Sequence, residues 1–300
     1  MYKYNISLFK MDLFPYWTSY ILIYFVSAFL VLILIPAPYG KFARASLPLQ
    51  INSRVAWAIN EIGGLFILFG YFEDGKWMTQ LPSTDKGWVC YSFIVVHFLW
   101  RAIISQIVLE SIDPPRGTKE TSIIIPLLGL LVLPAVGMNF RHMSVNITDT
   151  YEFKDTVFIM GALLCLAGNA FVDVMFNIWR KEKKPMSEYY GSYLTIDEIS
   201  ERFGLLGRLG IDCPNYFFEI LEWGFFSLFA FRWEAFWWFV CVLLYLLPRS
   251  IWTSHWHSIP VDKERKDGSI EVETLLKQKT TVAPTVVVPK NIINNNKFVF

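Results

Sequence analysis

Seven long apolar stretches, separated by polar segments, run along most of the chain. A helix needs about 20 predominantly apolar residues to cross the hydrocarbon core of a bilayer. The pattern therefore predicts an all-α polytopic membrane protein with about seven transmembrane helices. The predicted spans are Trp17–Ile35, Val55–Phe72, Trp88–Leu109, Ser122–Asn139, Val157–Phe176, Tyr216–Phe231 and Ala235–Leu247.

The shape of two spans and the limits of the membrane domain follow from local composition. Pro126 and Pro134 lie inside the fourth span, so we expect that helix to bend. A few residues separate the sixth span from the seventh, which predicts a helical hairpin. Residues 1–16 form a short N-terminal segment, and residues 17–257 form the membrane domain. The polar composition of residues 258–300 predicts a disordered tail.

The overall composition supports a membrane protein and excludes some functions. The chain is 54% hydrophobic and 18% charged, whereas a soluble domain is about 25% charged. A formal net charge of +1 argues against nucleic acid as a partner. The four cysteines are scattered and lack the spacing of a metal site or a disulfide framework. The first apolar stretch is long enough to stay in the membrane as an anchor.

Lysine and arginine are distributed unevenly between the loops. The loops after spans one, three and five carry more of them than the loops on the opposite side. The positive-inside rule places these loops and the C-terminal tail in the cytosol. The N-terminus then lies in the lumen, together with two glycosylation sequons at Asn5 and Asn146.

Two of the predicted spans carry a stripe of polar residues. The stripes are Asn169, Asp173, Asn177 and Arg180 on the fifth span, and Asn215, Glu219 and Glu222 on the sixth. Successive helical residues are about 100° apart, so each stripe covers one narrow face. A guanidinium at the cytosolic end of span five, with an amide and a carboxylate deeper in the membrane, suits a phosphate-bearing cofactor. The alternatives are a topogenic basic cluster after span five and acids that favour the helix N-terminus of span six.

Ionisable residues also lie inside the second and third spans. Glu61 is a functional-site candidate because ionisable residues at membrane depth are costly and usually serve a function. His97, Arg101 and Ser105 are spaced four residues apart and share one face of span three. The functional interpretation is a cavity between Glu61 and this face. The structural alternatives are a salt bridge between Glu61 and Arg101 and polar packing between helices.

The chain has no Walker loop and no glycine-rich dinucleotide motif after a strand, so a nucleotide would bind without a Rossmann domain. Five segments, however, resemble the steroid 5-alpha-reductase family, the membrane NADPH-dependent 3-oxo-5-alpha-steroid 4-dehydrogenases. They follow the family's order from about residue 36 to residue 257. The segments are Pro38–Ala43, Arg54–Glu61, Val96–Arg101, the spacing of Asn169, Asp173 and Arg180, and Pro214–Gly224.

The resemblance implies a seven-helix reductase of the endoplasmic reticulum membrane. It places the NADPH-binding part at about residues 120–257, open to the cytosol, and requires no metal. It assigns the cofactor site to Asn169, Asp173, Arg180, Asn215, Glu219 and His255. Glu61 would be the catalytic residue and would contact the substrate together with Phe98 and Arg101.

The implied reaction transfers a hydride to C5 and a proton to C4 of a 3-oxo-4-ene steroid. A protonated Glu61 would stabilise the developing enolate by donating a hydrogen bond to the carbonyl oxygen. The chain departs from the family at Phe98, where the family has tyrosine, and over residues 203–210, which differ from its cofactor loop. Tyr189, Tyr190 or Tyr193 would then replace a tyrosine of that loop. The alternatives are a polyprenol or trans-2-enoyl-CoA reductase, or a catalytically weakened relative that binds sterols or lipids.

Overall fold

The computed structural model describes residues 16–34, 49–112, 120–182, 203–204, 206, 211 and 213–257. Seven helical segments form most of this part of the chain. The first is α1 (Tyr16–Leu34), and the second is α2 (Ser53–Ile62), continued by a 3-10 helix (Gly63–Leu68). The third comprises α3 (Asp85–Leu99), a π-helical turn (Trp100–Ile104) and α4 (Ser105–Ile112). The other four are α5 (Ile124–Val145), α6 (Phe153–Glu182), α7 (Pro214–Ala230) and α8 (Trp233–His257).

Four of these segments are long and apolar enough to cross a membrane. Their apolar parts are Asp85–Leu109, Ile124–Val145, Phe153–Trp179 and Trp233–Thr253. The apolar part of α1, Thr18–Leu34, is shorter. These lengths and compositions support the prediction of a polytopic helical membrane protein, and the count of seven transmembrane helices stays a prediction. Orientation and the division into domains stay predictions, and the tail at 258–300 lies outside the described residues.

The predicted second span is too long at its C-terminal end. The helix ends at Leu68, and a β-hairpin of β2 (Tyr71–Glu73) and β3 (Lys76–Met78) follows. Asp74 and Gly75 form its turn with φ angles of 49° and 75°. An Asp-Gly pair favours this left-handed conformation and hence a two-residue hairpin turn. A second antiparallel pair joins β1 (Gln50–Asn52) to β4 (Glu120–Ser122), so the all-α prediction missed two small sheets.

The hairpin of the last two helices is confirmed, although α8 is longer than predicted. Only Phe231 and Arg232 separate α7 from α8, and Phe231 ends α7 with a left-handed φ of 50°. Helix α8 continues through Pro248 to His257. A proline removes one backbone hydrogen bond but does not always end a helix that is packed in a membrane protein. In α5, Pro134 lies inside the helix, and the bend itself stays a prediction.

Aromatic side chains fill the centre of the bundle. The Trp223 ring of α7 is 1% exposed and stacks on Phe140 of α5 with centroids 5.8 Å apart. It also contacts Trp238 of α8 edge-on at 5.5 Å. Edge-on and offset contacts are the favourable geometries of aromatic pairs. This column joins α5, α7 and α8 and fixes the rotation of α7, on which the polar residues Glu219 and Glu222 lie.

Glycines allow close approach at the other helix contacts. A Cβ at Gly168 of α6 would lie 2.8 Å from the Phe218 ring of α7, and a Cβ at Gly161 would lie 2.9 Å from Phe225. In α5, a Cβ at Gly137 would lie 2.6 Å from the carbonyl oxygen of Gly64. Small residues at helix interfaces let membrane helices pack backbone to backbone. These contacts bring α6 against α7 and the 3-10 helix against α5.

We expect Gly137→Ala to destabilise the protein by about 1–3 kcal/mol, because the new methyl group would meet backbone atoms that cannot move aside. Thermal unfolding in detergent measures the effect. Gly224→Ala is the matched control, since its nearest neighbour is a ring atom of Phe239 at an ordinary contact distance of 3.4 Å. Equal unfolding temperatures for the two variants would contradict the close contact at Gly137.

Candidate functional site

A π-helical turn presents Arg101 to the interior of the bundle. In this turn the backbone N–H of Ser105 donates to the carbonyl of Trp100, so the Arg101 carbonyl needs other donors. The Ser105 hydroxyl donates to it at 2.9 Å and the Gln106 amide at 3.1 Å. The predicted polar face of His97, Arg101 and Ser105 is buried as expected. Ser105, however, uses its hydroxyl to support its own helix.

Arg101 lies among three carboxylates that come from three other helices. Its guanidinium nitrogens lie 3.4 Å from Asp173 of α6, 3.7 Å from Glu219 of α7 and 3.9 Å from Glu61 of α2. We call these four residues the Arg101 cluster. The salt bridge between Glu61 and Arg101 that the sequence suggested is therefore present, and it belongs to a larger group.

Helix α2 holds two of the side chains around Arg101 in place. The helix begins where the Asn52 side chain accepts hydrogen bonds from the backbone N–H groups of Arg54 and Val55. The guanidinium carbon of Arg101 lies 5.3 Å from the centre of the Trp57 ring, one turn before Glu61. The Asn60 amide donates to Glu61 at 3.3 Å. The α2 segment thus supplies an acid and an aromatic surface to the same cation.

Asn169 of α6 extends the Arg101 cluster along the α6–α7 contact. Its amide donates to Glu219 at 3.5 Å, and the residue is buried. Its carbonyl oxygen is buried without a hydrogen-bond partner among the described residues, and so is the Nε of Arg101. Asn177 from the same predicted stripe donates instead to the backbone carbonyl of Asp173. One unpaired acceptor and one unpaired donor therefore remain close to the same carboxylates.

His97 and Glu222 form a separate buried pair between α3 and α7. The Nδ1 atom of His97 and the Oε1 atom of Glu222 are 2.5 Å apart. The His97 ring contacts Trp223 and Phe98 edge-on. The structure thus pairs Glu222 with a histidine that lies 125 residues earlier in the chain. Periodicity did not reveal this partner, although the i, i+4 position of His97 next to Arg101 was a signal.

The remaining predicted site residues are placed as follows. Phe98 is buried, and its ring lies directly against Gly64 of the 3-10 helix. Asn215 is half-buried in the first turn of α7, one turn before Glu219. The side chains of Arg180 and His255 lie outside the described part of the structure, as do Pro38–Ala43 and the tyrosines at 189, 190 and 193.

Sequence reasoning did not single out Arg249 of α8, which lies near the start of α7. Its guanidinium carbon is 4.9 Å from the Tyr216 ring centre and 5.1 Å from the Tyr245 ring centre. Tyr216 follows Asn215 directly, so this cation is close to one of the predicted cofactor residues. The one available signal was a basic residue two positions after the predicted end of the seventh span.

Comparisons with known proteins agree with this architecture. The family model described as 3-oxo-5-alpha-steroid 4-dehydrogenase matches residues 205–266. The steroid 5-alpha-reductase DET2 of Gossypium hirsutum is 26% identical over 229 residues, which cover 74% of this chain and 81% of the relative. The corresponding protein of Arabidopsis thaliana is 23% identical, covering 74% and 80%. The chain is thus distantly similar to the steroid 5-alpha-reductases. It is also 27% identical to "Uncharacterized protein C9.08c" of Schizosaccharomyces pombe, covering 78% and 89%.

The steroid 5-alpha-reductase family generally uses NADPH, and two orphaned atoms of this chain fit the reactive end of that cofactor. Its nicotinamide ring carries a carboxamide, which has an N–H donor and a carbonyl acceptor. The buried carbonyl of Asn169 lacks a donor, and the Nε of Arg101 lacks an acceptor, within the described residues. No group of three or more side chains that could bind a metal occurs in the same part of the chain.

We expect Arg101→Met to destabilise the protein by about 2–4 kcal/mol, because one buried and two half-buried carboxylates would then lose their common cation. Thermal unfolding in detergent at neutral pH measures this. Adding Asp173→Asn to Arg101→Met removes one of the repelling charges and should recover part of the loss. Lys154→Met is the control, because its ion pair with Glu152 is exposed and contributes little. An Arg101→Met protein as stable as Lys154→Met would contradict the cluster.

Proposed function

We propose that this protein uses NADPH to reduce the 4,5 double bond of a 3-oxo-4-ene steroid to the 5-alpha-3-oxosteroid in the endoplasmic reticulum membrane. The observation that carries the proposal is the Arg101 cluster. It joins residues of the candidate cofactor stripe on α6 and α7 to Glu61 of the candidate substrate wall on α2. A hydride passes only between a cofactor and a substrate that are in contact. Arg101 lies next to the cofactor residues and next to Glu61, so the two ligands would meet beside it.

The cofactor side of the proposal rests on the α6–α7 contact. A carboxamide N–H can donate to the free carbonyl oxygen of Asn169 and to Glu219, and its carbonyl can accept from the Nε of Arg101. Asp173 and Asn215 lie on the same two helices and would line the path toward the cytosol. By resemblance, Arg180 and His255 would bind the outer part of the cofactor. NADPH supplies the hydride when bound, and these residues bind and orient it.

The substrate side of the proposal rests on Glu61. A protonated Glu61 would donate a hydrogen bond to the steroid 3-oxo oxygen, where negative charge develops as the hydride arrives at C5. The nearby Arg101 guanidinium, 3.9 Å away, adds positive potential at the same place. Buried aromatic rings keep this region apolar and strengthen both effects by excluding water.

A second candidate function is favoured by Phe98. Its hydrocarbon ring offers no hydrogen-bond donor and lies buried against Gly64. Without that donor the site would bind a sterol or another lipid and leave its double bond intact. The chain would then be a relative that has lost the catalytic activity, and NADPH binding separates this candidate from the reductase.

We expect Asn169→Ala and Glu219→Gln each to weaken NADPH binding by about tenfold or more, because the first removes a buried acceptor for the cofactor and the second removes the charge of another. Quenching of tryptophan fluorescence in purified protein measures the dissociation constant. Glu152→Gln, an exposed carboxylate just before α6, is the matched control and should bind as the wild type does. If the wild-type protein does not bind NADPH at all, the reductase proposal fails and the lipid-binding candidate remains.

We expect Glu61→Leu to lower kcat by about 100-fold while the dissociation constant of NADPH stays within about twofold, because leucine removes the donor that acts on the transition state. Membranes that contain the protein are given a 3-oxo-4-ene steroid, a trans-2-enoyl-CoA and a polyprenol separately, and mass spectrometry detects the gain of two hydrogens. Glu73→Leu, on the β2–β3 hairpin, is the control. A gain on the thioester or the polyprenol but none on the steroid would reject the steroid assignment.

A further inference from the structure

The β2–β3 hairpin turns an aromatic face away from the bundle, and nothing in the proposed reduction uses that face. Phe72 of β2 and Trp77 of β3 are paired across the strands, with their ring centroids 4.8 Å apart. The two residues are 47% and 42% exposed. Exposed apolar surface of this kind marks a place of contact with a protein or a membrane. We propose that this face lies in the interfacial layer of the bilayer and contacts lipid, and the inference does not depend on the proposed reduction.

The opposite face of the hairpin is packed on α5. Neighbouring residues of a strand point to opposite sides of the sheet, and Tyr71, which precedes Phe72, is buried. The Tyr71 ring contacts His142 of α5 edge-on, with centroids 5.3 Å apart, and its hydroxyl donates to the side chain of Gln80 at 2.8 Å. This inner face fixes the orientation of the hairpin, so the aromatic pair on the other face is directed outward.

Arg141 of α5 holds the base of the hairpin. Its guanidinium donates to the backbone carbonyls of Ile67, Thr79 and Gln80 at 3.1, 2.9 and 2.7 Å. These carbonyls lie near the end of the 3-10 helix and just after β3. Backbone groups without partners are costly where water is scarce, so non-helical backbone in a membrane needs such donors. The contact with Arg141 therefore allows this irregular backbone to lie close to the hydrocarbon core.

The second helical segment is short for a membrane crossing. Its ten α-helical and six 3-10 residues span about 27 Å, at rises of about 1.5 and 2.0 Å per residue. The hydrocarbon core of a bilayer is about 30 Å thick. The polar residues Asn52 and Arg54 keep the first turn of α2 at one boundary of the core. The hairpin that follows the segment then begins at the opposite boundary and does not extend far into water.

Aromatic residues continue this surface on both sides of the hairpin, and the charged residues lie at its tip. Phe69, between the 3-10 helix and β2, is 62% exposed, and Trp88 in the first turn of α3 is exposed as well. Glu73, Asp74 and Lys76 lie in or beside the turn. Tryptophan and tyrosine are enriched where membrane spans meet water. This polarity matches an aromatic base in the interfacial layer and a charged tip in water.

Spin labels on single introduced cysteines distinguish lipid, water and protein around this face. The four native cysteines are buried, so the label is expected to react with the introduced one, and the wild-type protein gives the background. The labelled full-length protein is placed in phosphatidylcholine bilayers. Collision rates are measured with oxygen, which concentrates in lipid, and with a nickel chelate that stays in water.

We expect labels at Phe72→Cys and Trp77→Cys to collide more often with oxygen than with the nickel chelate. A label at Asp74→Cys, in the turn of the same hairpin, should show the reverse, so the ratio of the two collision rates should differ severalfold between the face and the tip. Leu164→Cys is the lipid-facing control, because Leu164 lies in the apolar part of α6 and is 67% exposed.

Frequent collisions with the nickel chelate at Phe72→Cys and Trp77→Cys would place the face in water and overturn the proposal. Few collisions with either reagent would show that protein covers the face, a second copy or another partner, and would overturn it too. If the cysteine variants do not fold, tryptophan fluorescence decides the question. Lipids brominated near the headgroup should quench the wild type more than Trp77→Phe, which keeps an aromatic ring, and equal quenching would contradict the lipid contact.

Discussion

The buried guanidinium of Arg101 is the constraint on which the polar interior of this protein depends. A charge away from water is stable only when it is paired, and breaking a buried pair costs several kcal/mol. The paired carboxylates, Glu61, Asp173 and Glu219, come from α2, α6 and α7, while the cation comes from the segment that contains α3. Pairing the charge of Arg101 therefore requires residues of four helical segments to lie at the same depth in the bundle.

Close packing makes that meeting possible. Glycines at 161 and 168 let α6 approach the rings of α7, and Gly137 lets α5 approach the 3-10 helix after α2. The π-helical turn at Trp100–Ile104 widens the third segment at the position of Arg101. The glycines remove bulk at helix contacts, and the π-helical turn adds a residue to the third segment. Irregular helix geometry of this kind is common at functional sites.

Around Arg101 and His97, acidic side chains outnumber basic ones. The Arg101 cluster has three carboxylates for one guanidinium, and Glu222 adds a fourth next to His97. Unless some of these acids are protonated, the interior has a surplus of acceptors. Acceptors attract ligands with donors, such as a carboxamide, and protonated acids are themselves donors. Both properties suit the binding of a nicotinamide next to a carbonyl compound.

The sequence by itself determined which side chains are polar at membrane depth and which face of each helix they occupy. Hydrophobic length predicted the helical segments, and local spacing identified Glu61, Arg101 and the stripe from Asn169 to Asp173, because periodicity depends only on neighbouring residues. The sequence also contains the Asp74–Gly75 pair that favours a hairpin turn. The apolar residues before this pair led the predicted second span to extend into the hairpin.

Only the tertiary structure decided which of these groups are partners. It paired Glu222 with His97, placed Glu219 against Arg101 and put Arg249 beside Tyr216. These pairs depend on the rotation and relative height of separate helices. Contacts between residues far apart in the chain, such as the stack of Trp223 on Phe140, set those two quantities, and no local pattern in the sequence specifies them.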